Sequence, residues 1–139
     1  MEVERRIDSE SSIVWTTIRG PVTLRDMCQQ FDVIHETGNQ QFCGIIDVRE
    51  AEPHFSAKDL PVLAAHGRSL FGSGGMSPRA IVVNDGDLLT FGLSRLLAKL
   101  IAPWVTLRVF DNIHGAVAYI TAMVESKRED GPPRVGPEG

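Results

Sequence analysis

Hydrophobic and polar residues recur with two different periods along this chain, and the clearest switch between them lies between Arg79 and Phe110. The unbroken apolar run Ala80-Ile81-Val82-Val83 reads as a buried strand. After a polar turn, Leu89, Leu93, Leu96, Leu97, Leu100 and Ile101 recur at the spacing of one buried helical face, with Arg95 and Lys99 between them toward solvent. Pro103 stops that helix because it cannot continue the hydrogen-bond ladder, and Val105 to Phe110 alternates Val, Leu and Val against Thr and Arg. Strand, helix, strand in this order requires a parallel sheet, since the chain returns to the same edge only through a crossover.

The remaining elements follow by the same reading. Val3 to Ile7 and Ile13 to Ile18 are strand-like and flank the turn-forming Asp8 to Ser12, which predicts a hairpin. Gly20-Pro21 is expected to break the second strand. Thr23 with Asp26 three residues on marks a helix start, Leu24, Met27, Cys28, Phe31 and Ile34 give its buried stripe, and Gly38 ends it. Phe42 to Val48 is a strand, and Arg49 to Lys58 is expected as a loop. Two starts for the next helix compete: Ser56 with Asp59 as a capping box, or Asp59 with Pro61 in the first turn. Leu60, Leu63, Ala64, Gly67, Leu70 and Phe71 are its inner face, and Gly72 to Pro78 is expected to be a flexible connection. A last helix capped by Asp111 or Asn112 turns Ala116, Val117, Ile120, Met123 and Val124 inward. From Glu125 the composition shifts to charge, Pro and Gly, so residues 1–124 are expected as one domain and 125–139 as a disordered tail.

The predicted order is β-β-α-β-α-β-α-β-α: a single α/β domain, a three-layer sandwich around a mixed, mostly parallel five-stranded sheet. At 139 residues the chain is long enough for one core without staples. A net charge of -4 with no basic cluster argues against nucleic acid and anionic membranes as partners. The charged N-terminus and the lack of a long apolar run predict a cytoplasmic protein with no stable membrane insertion. Cys28 and Cys43 fall within apolar patterns and read as buried free thiols.

Gly20-Pro-Val-Thr23, Ile45-Ile-Asp47-Val-Arg49, Arg79-Ala-Ile-Val-Val83, Phe91-Gly-Leu-Ser-Arg95 and Val109-Phe110-Asp111 resemble the STAS-like (SpoIIAA-like) proteins related to bacterial anti-sigma-factor antagonists, over about residues 1–122. The superfold also looks like that of CRAL-TRIO lipid-binding domains. The resemblance implies a phosphorylatable serine at the start of the second helix, and Ser56 lands near that position. Here Phe55-Ser56-Ala57-Lys58 replaces the Asp-Ser-Ser-Gly of the antagonists, so the preceding acid and the following glycine are absent. A phosphate on Ser56 would meet Lys58 and a helix N-terminus; the plainer role for Ser56 is a cap.

Other chemistry is sparse. His35, His54, His66 and His114 lack metal-ligand spacing, no serine sits in a nucleophile elbow, and neither cysteine has a local activating partner, so no metal, no cofactor and no enzymatic activity are expected. Asp47, Arg49, Asn84, Asp85 and Asp111 should converge at the C-terminal edge of the sheet, the usual ligand crevice of open α/β sheets. An ion pair that holds loops together explains Asp47 and Arg49 equally well, and a plain turn is the simpler reading of Asp85-Gly86-Asp87. Trp104 is either an exposed anchor or a lid on the helix end, and Leu88, Phe91 and Ala98 form a secondary apolar patch suited to a homodimer. Two functions are thus in play: a regulatory or protein-interaction module using the surface around the second and third helices, or a small apolar ligand held between helices and sheet. A pocket of several hundred Å³ would favour the second, and a filled core the first.

Overall fold

The computed structural model describes residues 1–130. Five strands, β1 (Glu2–Asp8), β2 (Ile13–Val22), β3 (Cys43–Pro53), β4 (Arg79–Val82) and β5 (Leu107–Phe110), form one sheet in sequential order. The hairpin pair β1–β2 is antiparallel and every other pairing is parallel. Four α-helices accompany them: α1 (Leu24–Thr37), α2 (Leu60–Phe71), α3 (Leu88–Ile101) and α4 (Ile113–Asp130). Because each crossover steps the same way along the sheet, right-handed connections put α1, α2 and α3 on one face. The other face receives α4, whose Ala116, Ile120 and Val124 pack on Ile13, Cys43, Ile45, Ala80 and Val82.

The sequence signals for α1 act as read. Asp26 N–H donates to Thr23 Oγ1 at 3.1 Å, Thr23 N–H donates back to the Asp26 carboxylate at 2.9 Å, and Gly38 closes the helix at φ 72°. The hairpin turn is held by Asp8, whose Oδ1 accepts from the N–H groups of Glu10 and Ser11. Trp104 is the lid: it is buried, stacked on Phe71 at 5.7 Å and edge-on to Phe31 at 5.8 Å. Each such aromatic pair contributes about 0.5–1.5 kcal/mol beyond burial. Gly67 makes room for it, since a Cβ there would lie 2.5 Å from the indole.

Several expected boundaries move. β2 runs through Gly20-Pro21 to Val22, and the predicted loop from Arg49 is strand as far as Pro53, because the two segments pair with each other. β1 ends opposite Arg19, so Pro21 has no neighbour on that side to miss its N–H. Between the Thr17–Asp47 and Arg19–Glu50 pairs, Val48 and Arg49 oppose Ile18 alone, a β-bulge. The two starts for the second helix resolve together: a 3-10 turn at Ala57–Asp59 is bracketed by Ser56 and Asp59, and α2 begins after it with Pro61 in its first turn.

The inner face of α3 is also rotated from expectation. Leu89 and Leu96 are 64% and 36% exposed, whereas Thr90, Leu93, Ser94, Leu97 and Ile101 face inward. Apolar residues occupy so wide an arc of this helix that period alone does not choose between its sides. The Gly72–Pro78 connection is tied down: Met76 N–H donates to Trp104 O and Ser77 N–H to Gln40 O. Cys43 is buried, while Cys28 is only half-buried. Finally, α4 continues through Glu125–Asp130, which composition assigned to a tail; residues 131–139 of that expected tail lie outside the described residues.

Candidate functional site

Parallel strands end on one rim, so the segments after β3, β4 and β5 converge there. Asn84 Nδ2 donates to Arg49 O at 2.5 Å, and Val83 N–H donates to Phe110 O at 2.9 Å, which brings Asp111 alongside. Arg49, Asn84 and Asp111 therefore do share the C-terminal rim. Their charges are largely spent locally. Arg49 grips Asp47 with a two-pronged contact, Nε to Oδ1 at 3.0 Å and Nη2 to Oδ2 at 2.8 Å, and its own N–H donates to the same Oδ1 at 3.0 Å. Those bonds hold the Asp47 carboxyl below its usual range, against the opposing pull of partial burial. The bulge in β3 falls at the same residues, Val48 and Arg49.

Asp85 stays exposed in the turn before α3, where Gly86 takes φ 85° and Asp87 Oδ1 accepts from Thr90 N–H at 3.1 Å as a helix cap. Ser56 and Lys58 are exposed at the entry to α2. Ser56 N–H donates to Asp59 Oδ2 at 2.9 Å and its Oγ lies 3.4 Å from the same oxygen, so a phosphate there would face a carboxylate at close range. Among the described residues no three His, Cys, Asp or Glu side chains are grouped to hold a metal ion. His66 Nε2 lies 2.7 Å from Asp32 and joins α2 to α1, and His54 pairs with Glu52 at 3.1 Å. Burial pushes both the Cys28 and Cys43 thiols up, so neither is a ready nucleophile at neutral pH.

Below this polar rim the layers leave a crevice between the sheet and α1–α3. Ile18, Val22, Val48 and Ile81 form its floor, and Met27, Phe55, Leu63, Leu93 and Leu97 its roof. None of Asp47, Arg49, Ser56, Lys58, Asn84, Asp85 and Asp111 lines it. Two small polar residues do, Thr90 and Ser94, one turn apart and 8% and 6% exposed. Only their i, i+4 spacing inside a Leu-rich helix hinted at a distinct face. The crevice holds about 60 Å³, against the ~300–1,000 Å³ of a ligand pocket.

Beside its mouth stand three exposed apolar residues, of which Leu88 belongs to the apolar patch expected from the sequence; Phe91 and Ala98, the other members of that patch, are half-buried. Val62, Leu88 and Leu89 are 57%, 82% and 64% exposed, all in the first turns of α2 and α3, which pack side by side and start at this rim. Nothing in helical periodicity separates an exposed leucine from a buried one when both flank the same stripe.

This combination of an antiparallel hairpin, a parallel remainder and helices on both faces is the SpoIIAA-like α/β fold. Among solved structures, the chain is similar to an uncharacterized protein of the DUF3478 family with a SpoIIAA-like fold from Shewanella loihica PV-4, at a TM-score of 0.50 and 16% identity, over 86% of this chain and 92% of that one. At that identity the likeness establishes the fold alone. No family model matches the sequence, and no curated protein matches it. No helix among the described residues is long and apolar enough to cross a membrane.

Proposed function

We propose that this chain is a non-enzymatic regulatory module that binds a protein partner through the rim formed by the first turns of α2 and α3. The observation that carries the reading is the exposure of Val62, Leu88 and Leu89 in the first turns of two helices that pack on each other and start at the same rim. A small-ligand role is less well supported, because the crevice beside that cluster is about 60 Å³ and admits a side chain rather than a separate molecule. An apolar anchor from the partner, seated between Leu88 and the crevice mouth, matches both features.

Affinity capture from the native cell, comparing the natural chain with a Leu88→Asp/Leu89→Asp variant, tests this. Both positions are exposed, so stability should stay within about 0.5 kcal/mol. A single protein recovered stoichiometrically by the natural chain and lost with the variant is the expected result. Undiminished recovery by the variant, or a small molecule copurifying with the natural chain in native mass spectrometry, would overturn the reading.

A further inference from the structure

We infer a second surface, separate from that rim: the open edge of β5, with the flank of α3 beside it, is a docking groove for an acidic, extended segment of a protein partner, which joins the sheet as a sixth strand. Among the described residues, β5 is the last strand of the sheet and pairs only with β4. Arg79 N–H donates to Thr106 O and Val83 N–H to Phe110 O, both at 2.9 Å, so the backbone groups of these alternate residues point at β4. By the two-residue period, the N–H and C=O groups of Leu107 and Val109 point the other way, into the open groove. That groove encloses about 470 Å³ between the strand and α3.

Its charge is one-sided. Arg95, Lys99 and Arg108 line it, no acidic residue does, and none of the three is in an ion pair among the described residues. Aromatic rings hold two of them in place: Arg95 lies 5.7 Å from the Phe91 ring, and Arg108 lies 4.8 Å from the Tyr119 ring. The opposite edge is built otherwise. On β1, Glu2 and Glu4 are both bound by Arg19, so the acids of that edge already have a cation within the chain and leave no one-sided charge for a partner strand. β5 offers unpaired backbone groups together with unpaired cations, the two requirements of an acidic strand. Residues on the α3 side of such a strand meet Phe91 and Ala98 beneath Arg95 and Lys99, and those on the other side meet Arg108. A nucleic acid would use the cations but not the backbone groups, and would meet a chain of net charge -4.

Fluorescence anisotropy with three labelled hexapeptides tests the inference: alternating Glu and Val, alternating Lys and Val, and the Glu-Val peptide N-methylated at every backbone nitrogen so that neither of its edges can donate to a strand. The unmodified Glu-Val peptide is expected to bind at least about tenfold tighter than either control, and Arg95→Glu/Lys99→Glu to weaken it about tenfold. Amide resonances of Leu107 and Val109 should shift on binding, and the uncharged Leu88→Ser/Leu89→Ser variant should leave the affinity unchanged, which separates this groove from the rim. Equal affinity for the N-methylated peptide overturns the strand-pairing mode. Equal affinity for the Lys-Val peptide, or for an oligodeoxynucleotide of similar charge, overturns the acidic-peptide assignment.

Discussion

The two rims of the sheet are built from different material. At the N-terminal rim the polar groups are spent on holding loops together. Buried Arg79 donates to Asn39 O at 2.9 Å, to Ser77 O at 3.0 Å and to Phe42 O; Lys127 donates to Gln41 O and Ser77 Oγ; and Arg128 donates to Glu10 O in the hairpin turn. Burial lowers Arg79 to about 10, which still leaves it charged at neutral pH. Gly44 accommodates its stem, since a Cβ there would sit 2.9 Å from Arg79 Cδ. At the C-terminal rim, by contrast, leucines stand in solvent and a small crevice lies unfilled beneath them. One rim is stitched together by cationic side chains bonded across loops, and the other leaves apolar side chains in solvent.

The largest test of that division is Arg79→Met. It strands one buried and two part-buried carbonyl groups and should cost about 3 kcal/mol, as removal of one partner from a buried charged network does. For a domain of this size the midpoint of thermal unfolding falls by roughly 10 °C. A loss below about 1 kcal/mol in denaturant titration would mean that the N-terminal rim is no more of an anchor than its counterpart.

A smaller effect of opposite sign is expected at the other rim. Thr90→Val exchanges a hydroxyl for a methyl of the same shape in the apolar crevice and keeps the backbone N–H that Asp87 caps. Stability should stay level or rise by up to about 1 kcal/mol. A loss beyond that would show the hydroxyl to be a structural support and the crevice to be part of the core.

How much of this was legible follows from what each signal measures. Element order, the α1 capping box and the crossover logic are local properties of sequence, and they are found as read. The convergence of Arg49, Asn84 and Asp111 is legible too, since parallel strands dictate it. Choices that depend on neighbours are not. Gly20-Pro21 stays in a strand only because β1 ends opposite Arg19. Charged residues from Glu125 read as a tail, yet Lys127 and Arg128 are the stitches of the N-terminal rim. Thr90 and Ser94 face inward while Leu89 faces out because the sheet decides which side of α3 is buried, and a hydropathy pattern counts hydroxyl residues as solvent-facing.

The finest probe of the comparison is acid titration of the C-terminal rim. Asp47 is held below its usual pKa first by the Arg49 side chain, then by its backbone N–H, with burial opposing. In the unfolded chain an aspartate titrates near ~3.9. A folded-state pKa below that value means that the ionised carboxylate contributes stability in full above the unfolded pKa, and that the contribution disappears as pH falls through the folded one. Asp47→Asn removes the titration, so the stability gap between natural chain and variant should be level near neutral pH and close in strong acid. Arg49 is 40% exposed, which screens the pair and limits the gap to about 0.5 kcal/mol. Urea midpoints of both proteins from about pH 7 down to about pH 2.5 measure it. A gap that persists unchanged at the acid end would mean that the fork acts by shape alone and that its charge contributes nothing to the C-terminal rim.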